Sequence, residues 1–309
     1  MRNEISVLMS VFNGEALLAP TLDSVLSQSY DYLEFIIVDD ASTDNTSRIL
    51  QQYIQRDKRI IVLKNEKNIG LTKSLNIGLK QAKGSFIARI DCGDNWIKEK
   101  IERQVKYIQN YPDIVLLGCQ AYVSDKKRNK TWRSNLPAKD IDIRHALLNG
   151  INPFIHSSVI FRRGNLYDER FYRSQDHELW SRLSFQGKLG NLEECLVLYN
   201  VDFFSMSFKN RAEQIYLKKV IYQNYISRIN NSKDANLSIP RDKGYFVRSS
   251  RLFGRIYSFA FAKSNNVLVR KMIIMCGLIL CPRVLATLIT YKIETKIGAL
   301  RYKSKITAY

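Results

Sequence analysis

Phe86-Ile87-Ala88-Arg89-Ile90-Asp91-Cys92-Gly93-Asp94 is a short apolar run that ends abruptly in two acids around Cys-Gly. Gly84 before it marks a turn, and Trp96 to Tyr107 after it is expected to be helical. A buried strand that delivers two carboxylates onto a loop is a common frame for a metal or phosphate site. Hard oxygen ligands suit Mg²⁺ or Mn²⁺, and those ions suit diphosphates. The plainer reading is that Asp91 ends a strand and Asp94 caps the next helix. The rest of the chain decides between them.

Working outward, strand-like and helix-like segments alternate. Ile5 to Ser10 is β-branched and apolar, and a helix is expected from Ala16 to Ser27, with Leu17, Leu18, Leu22, Val25 and Leu26 on one face. Phe35-Ile36-Ile37-Val38 is apolar throughout, as in a parallel strand covered on both faces. It ends in Asp39-Asp40-Ala41-Ser42-Thr43-Asp44, and a second helix is expected from Asn45 to Gln55. Ile60 to Leu63 is a third strand, Asn68-Ile69-Gly70-Leu71 a turn, and Thr72 to Gln81 a third helix. This alternation predicts an α/β domain on a parallel sheet, with its polar clusters at the strand ends where ligands bind. A carboxylate there can accept from a uracil or guanine ring N–H. Neither a P-loop nor a dinucleotide glycine fingerprint follows a strand.

The 309 residues suffice for one large domain, or one domain with a sizeable appendage. The five cysteines are spread without a Cys-x-x-Cys pair, which points to reduced thiols in a cytosolic protein. No signal peptide is expected, because Met1 to Glu4 runs straight into the first strand. The net charge of +19 is lopsided: residues 205–309 hold 20 Lys+Arg against 4 Asp+Glu. Such a segment suits nucleic acid or anionic lipid.

Six motifs, in order, resemble those of family 2 glycosyltransferases. They are Ser10-Val11-Phe12-Asn13-Gly14-Glu15, Val38 to Asp44, Asn68-Ile69-Gly70-Leu71 with Asn76-Ile77-Gly78, and Ala88 to Asp94. Asn152 to Ser158 and Ser174-Gln175-Asp176-His177-Glu178-Leu179-Trp180 complete the set, which spans about residues 4 to 205. The resemblance implies a GT-A fold: a Rossmann-like, mostly parallel sheet flanked by helices over 1–205. A basic helical region would follow over 206–309. It implies an inverting enzyme that moves a sugar from a nucleotide-sugar, a UDP-sugar first among them, to a glycan or polyprenyl-linked oligosaccharide in surface polysaccharide assembly. Asp40 would read the nucleobase beside Phe12 and Glu15. Ser10, Asn13, Ser42, Asn68, Gly70 and Arg89 would line the same donor site. Asp91 would hold the diphosphate and, with Asp94 and His156, a Mn²⁺ or Mg²⁺ ion. Gly93 departs from the usual Asp-x-Asp-Asp pattern, so the metal would rest on Asp94, be held weakly, or be dispensable. The pattern also has a histidine where Asp202 stands.

Inversion needs a carboxylate that takes the acceptor's hydroxyl proton. Asp176 is the candidate, in the first turn of an expected helix where backbone N–H groups and the dipole favour an anion. An ordinary helix-start acid is the competing reading. Trp180 is a candidate acceptor stacker, with a core position equally open. Ile114 to Cys119 is read as a strand, Ser124 to Ser134 as a surface hairpin or loop, Ile141 to Leu148 as helix and His156 to Phe161 as a strand-like run.

Beyond Arg211 the pattern is helical, with a linker over Asn230 to Arg241, a second helix over Tyr245 to Lys263 and apolar runs over Val267 to Leu280 and Val284 to Ile293. No run reaches the ~18–20 residues of a spanning helix. Apolar and basic faces side by side suit helices lying on an anionic membrane surface, which places the protein at the inner face of the cell membrane. A helical appendage packed on the catalytic domain or on a second copy is the alternative. A catalytically inactive nucleotide-sugar-binding protein and, behind it, a nucleic-acid-binding protein are the rival functions. The basic residues alternate with aliphatics rather than stacking aromatics, which argues against nucleic acid.

Overall fold

The computed structural model describes residues 4–125, 129–201, 211–230, 274–275, 285 and 288–296. The chain divides into two compact units. One holds residues 1–143 and 153–200, the other 144–152 and 201–309.

The first unit is built on a nine-stranded sheet, counted among the described residues. Its parallel half comprises β1 (Ile5–Val11), β2 (Leu33–Asp39), β3 (Ile60–Lys64) and β4 (Phe86–Arg89), in the order β3-β2-β1-β4. β1 and β2 are buried along their whole length, as their unbroken apolar sequence requires of strands covered on both faces. Helices α1 (Leu18–Leu26), α2 (Thr46–Arg56) and α3 (Leu71–Gln81) make the crossovers. α3 can lie flat on the sheet only because Gly78 has no side chain: a Cβ there would meet Leu8 Cδ1 at 2.3 Å and Val38 Cγ2 at 3.2 Å.

The chain leaves β1 toward β2 and β3, then returns to place β4 on the other side of β1. That reversal opens a crevice at the carboxyl ends of β1 and β4, where open α/β sheets bind ligands. The other half of the sheet adds β5 (Asn95–Trp96), β6 (Ile114–Asp125), β7 (Lys130–Arg133), β8 (Ile160–Arg162) and β9 (Lys188–Asn200). β8 runs antiparallel between β4 and β6, β9 runs parallel to β6, β5 pairs antiparallel with β9, and β7 closes a hairpin with β6. Helices α4 (Lys100–Asn110) and α6 (Gln175–Leu183) belong to this unit, and α5 (Asp140–Leu148) crosses its boundary.

Two expected elements differ. The helix read from Trp96 begins instead at Lys100, because Asn95 and Trp96 are taken up as a strand against Leu198 and Val197. The run read as a strand from His156 opens with a 3₁₀ turn, His156–Ser158, before β8.

In the second unit, α7 (Arg211–Ile229) buries Leu217, Val220, Ile221, Tyr222 and Tyr225. Lys219 Nζ lies 3.2 Å from a Glu294 carboxylate oxygen, the Tyr222 hydroxyl donates to the Glu294 carbonyl, and Tyr291 donates to the Gly150 carbonyl. The linker over Asn230 to Arg241 and the helix over Tyr245 to Lys263 lie outside the described residues, apart from Asn230. So do Asp202 and most of the two apolar runs. Among the described residues no helix is long and apolar enough to cross a membrane.

Candidate active site

The loop after β1 and the loop after β2 are laced together. Asn13, at φ 52°, accepts from the Thr43 N–H, and its own N–H donates to the Ser42 hydroxyl. Gly14 N–H donates to Thr46 Oγ1, and Glu15 accepts from the backbone and side-chain amides of Asn45. Phe12 stands at the lip of this loop with half its surface exposed, while Ser10 is buried at the end of β1.

Asp40 holds a different loop. One carboxylate oxygen accepts from Asn65 Nδ2 (2.8 Å) and Ile69 N–H (2.9 Å), and the other from Gly70 N–H (2.8 Å). The buried acid thereby fixes the 68–70 turn, leaving Asn68 exposed, and Gly70 meets the turn's demand for φ 88°. Asn76 of the same motif group exchanges hydrogen bonds with the Tyr167 backbone, through its Oδ1 and Nδ2.

The crevice floor is the Asp91 loop. Arg89 is fully buried, and its guanidinium donates to Asp91 and to the Leu8 carbonyl. Arg89 is thus the charge partner beneath Asp91, and the expectation that it lines the donor site directly is corrected: its burial gives it no face toward a donor. The Asp91 side chain keeps 36% of its surface exposed. Burial pushes its carboxyl up, but the charge and hydrogen bond of Arg89 outweigh burial and hold it below the usual carboxylate range.

Asp94 faces inward, at 4% exposure. It accepts from the Ser157 hydroxyl and the Asn200 N–H. Burial, then the charge of Asp91, pushes its carboxyl up to about 7. One hydrogen bond to each oxygen ties Asp94 to the 3₁₀ turn and to the end of β9.

His156 takes up the other side. Its Nε2 lies 2.8 Å from the Tyr167 hydroxyl and its Nδ1 3.7 Å from Asp91 Oδ2. Burial, then the Arg89 charge, pushes His156 down to about 4, so the ring is neutral at pH 7. The approach to Asp91 is therefore not an ion pair. The Tyr167 hydroxyl can donate to or accept from Nε2, so either ring nitrogen can carry the proton, and Nδ1 is the nitrogen that faces Asp91.

Asp176 is the second residue of α6, in its first turn after Ser174, a non-glycine residue at φ 55°. Its charge is felt at His156, Tyr167 and Tyr199, which places it around the same crevice. Glu178 is buried and paired with Arg182 at 2.8 Å. Trp180 is fully buried, its ring against Phe154, His156 and Phe161. Its expected role as an acceptor stacker is corrected: the apolar side of α6 turns it into the core.

Among the described residues there is no cluster of three metal-ligating side chains. Asp91 and His156 Nδ1 offer two donors on one side, which fits Mg²⁺ or Mn²⁺ completed by water and substrate phosphates rather than by a protein cage. Ser157 and Tyr167 carry structural roles here that sequence reading did not assign. Ser157 lies inside a recognisable motif, but Tyr167 sits in an irregular loop with no local signal.

The glycosyl transferase family 2 model matches residues 6–171. The chain belongs to this family. Putative glycosyltransferase EpsE of Bacillus subtilis is 34% identical over 68% of this chain and 76% of its own. An uncharacterized glycosyltransferase of Haemophilus influenzae is 32% identical over 64% of this chain, which spans 65% of that relative's length. Amylovoran biosynthesis glycosyltransferase AmsE of Erwinia amylovora is 29% identical over 62% of this chain and 74% of its own. The crystal structure of S. aureus TarS 1-349 in complex with UDP-GlcNAc superposes with a TM-score of 0.56 at 18% identity, over 95% of this chain and 90% of that one. The likeness shows the fold: this family 2 glycosyltransferase has the GT-A architecture.

Proposed function

We propose that this transferase moves a sugar from a UDP-sugar to a glycan or lipid-linked oligosaccharide with inversion, in the assembly of a surface polysaccharide. The observation that carries the reading is the crevice at the ends of β1 and β4. One partly exposed carboxylate, Asp91, faces a neutral His156 there, and Asp176 lies around the same opening. The UDP-GlcNAc bound to TarS supports a UDP-sugar donor, and the name of AmsE, an amylovoran biosynthesis glycosyltransferase, supports a polysaccharide product.

The uracil lies between Phe12 and the 68–70 turn that Asp40 fastens, with Ser10, Asn13, Glu15 and Ser42 shaping the wall. Asp91 and His156 would hold a divalent ion, which would offset charge on the departing phosphate. Asp176 takes the acceptor's hydroxyl proton as that oxygen bonds to the sugar's C1. The bond from C1 to the diphosphate breaks on the opposite face, and UDP leaves. The basic C-terminal region brings the enzyme to anionic lipid at the inner face of the membrane, where a polyprenyl-linked acceptor resides, or pairs two copies.

The test is a titration of UDP, GDP and dTDP into the purified protein, each with Mn²⁺ and then with EDTA, alongside Asp176→Asn. UDP should bind best and need the ion. Asp176→Asn should bind UDP like the wild type yet lose transfer by about 10²–10⁴-fold, the usual contribution of a general base. Unchanged transfer in Asp176→Asn overturns the base, and no nucleotide binding overturns the reading as a whole.

A further inference from the structure

The 3₁₀ turn His156–Ser158 presents His156 and Ser157 to Asp91, and it is suspended from behind. Trp96 Nε1 donates to the Ser157 carbonyl at 2.8 Å. Gln104 Nε2 donates to the Ser158 carbonyl at 2.9 Å and to the Leu117 carbonyl at 3.1 Å. Both side chains meet at Lys100. Its ammonium donates to Gln104 Oε1 at 2.8 Å and lies 4.0 Å from the centre of the Trp96 ring.

Lys100 is fully buried at the start of α4. A side chain amide has two orientations, and a cation on its oxygen leaves only one. With Lys100 on Oε1, both Gln104 N–H groups must point at the two carbonyls. The same ammonium sits on the electron-rich face of the indole, which holds the ring where its N–H meets Ser157. The fold pays heavily in desolvation for this cation, since burial drives Lys100 down to about 8. A methionine would fill the same space without that penalty, but it would leave Gln104 Oε1 without its donor and free the amide to turn.

We propose that Lys100 is a positioning residue for donor binding, acting through Gln104 and Trp96 to set the His156–Ser158 turn and hence the distance between His156 and Asp91. The inference rests on the reading of Asp91 and His156 as the diphosphate and ion site. Lys100 touches neither substrate nor ion. It fixes two donors, the donors fix two carbonyls, and the carbonyls fix the turn.

The experiment compares the wild type with Lys100→Met, Trp96→Phe and the double variant. Two readouts are taken: UDP affinity with Mn²⁺, and the indole N–H resonances of the three tryptophans, 96, 132 and 180. Trp132→Phe, on the exposed β7, assigns its own resonance and serves as the unaffected control. Lys100→Met should shift the Trp96 resonance and speed its exchange with solvent while the fold stays intact. It should weaken UDP about 10-fold, the low end of what partners behind a metal site contribute. Trp96→Phe, which keeps an aromatic face and loses the N–H, should weaken UDP by a similar factor. The double variant should be no weaker than the poorer single one, as for residues acting through one turn.

A Trp96 resonance and a UDP affinity both unchanged in Lys100→Met overturn the proposal. So do additive losses in the double variant. If the Trp96 resonance moves while affinity holds, the network is real but has no part in donor binding, and the proposal fails with the donor-site reading intact. If the wild type binds no nucleotide, the donor-site reading fails and takes the proposal with it.

Discussion

At the end of β2, Asp39 and Asp40 are both sunk below the surface and their oxygens are taken by Ser42, Ser47, Asn65, Ile69 and Gly70. At the end of β4, Asp94 is sunk in the same way, but Asp91 keeps a third of its side chain in the open over a buried arginine. Both strand ends carry two acids, yet only one of the four combines an exposed carboxylate with a buried cation beneath it. A carboxylate that accepts two or three N–H bonds shapes a loop. One whose charge is supported from behind and open in front can meet a ligand. Acid motifs at strand ends therefore mix holders with donors, and burial separates them.

The most direct way to break that division is to exchange the two losses. Asp40→Ala strips acceptors from two backbone N–H groups and one amide, each costing about 1–3 kcal/mol when left unpaired in a buried place. Unfolding by urea should show a loss of about 5 kcal/mol. Asp91→Asn keeps an acceptor for Arg89, so its unfolding should move by only about 1–2 kcal/mol. Its metal-dependent UDP affinity should fall about 1,000-fold, beyond the 10–100-fold of residues behind such sites. If Asp40→Ala unfolds like the wild type and only binding suffers, Asp40 is a donor-site residue rather than a holder, and the comparison is reversed.

A somewhat smaller effect sharpens the support behind Asp91. Lys100 is pushed down to about 8 from 10.5 by burial. Below pH 8 it is charged in both folded and unfolded chains, and the whole penalty falls on the fold. Between pH 8 and 10.5 the folded lysine is already neutral while the unfolded one still holds its proton, so unfolding takes up a proton and stability rises with pH. Above that window the penalty is gone. Lys100→Met lacks this titration, so the stability of the wild type relative to it should rise by about 3 kcal/mol between pH 8 and pH 10.5. Parallel unfolding curves at pH 7 and pH 10 check this, and a gap that stays constant would mean that the ammonium carries no burial penalty.

The parallel half of the sheet was legible because its strands are unbroken apolar runs with acids at their ends, and because Gly and Asn punctuate the loops between them. The elements that escaped are set by distant partners. Asn95 and Trp96 read as helix, yet they pair with Leu198 and Val197 a hundred residues on. Trp180 follows an acidic helix start, and nothing local says that Phe154 and Phe161 close over it. Arg89 reads as an exposed cation beside a phosphate site, but the neighbouring strand places it under Asp91 with its charge already spent. Asp94 reads as a ligand through the family pattern, and the Ser157 hydroxyl that it accepts from comes from over sixty residues away. Composition and periodicity carry local facts, while the direction in which an acid or a cation points is a property of the assembled sheet.

Gly93 offers the smallest and sharpest cut, because it asks whether an absent acid matters at all. At φ 102° the residue lies where only glycine is at ease, and a Cβ would stand 3.1 Å from Leu17 Cδ1. Its N–H already donates to the Thr21 hydroxyl and its carbonyl accepts from Asn200. Gly93→Asp therefore restores the family's acid at the cost of a strained backbone, about 2 kcal/mol. It should lower the unfolding midpoint without improving metal-dependent UDP affinity. Gly93→Ala should lose the same stability, since the strain comes from the backbone and not from the charge. If Gly93→Asp instead bound UDP and Mn²⁺ more tightly than the wild type while Gly93→Ala did not, a second open carboxylate would be what the β4 end lacks. The contrast with β2 would then rest on the number of acids rather than on their burial.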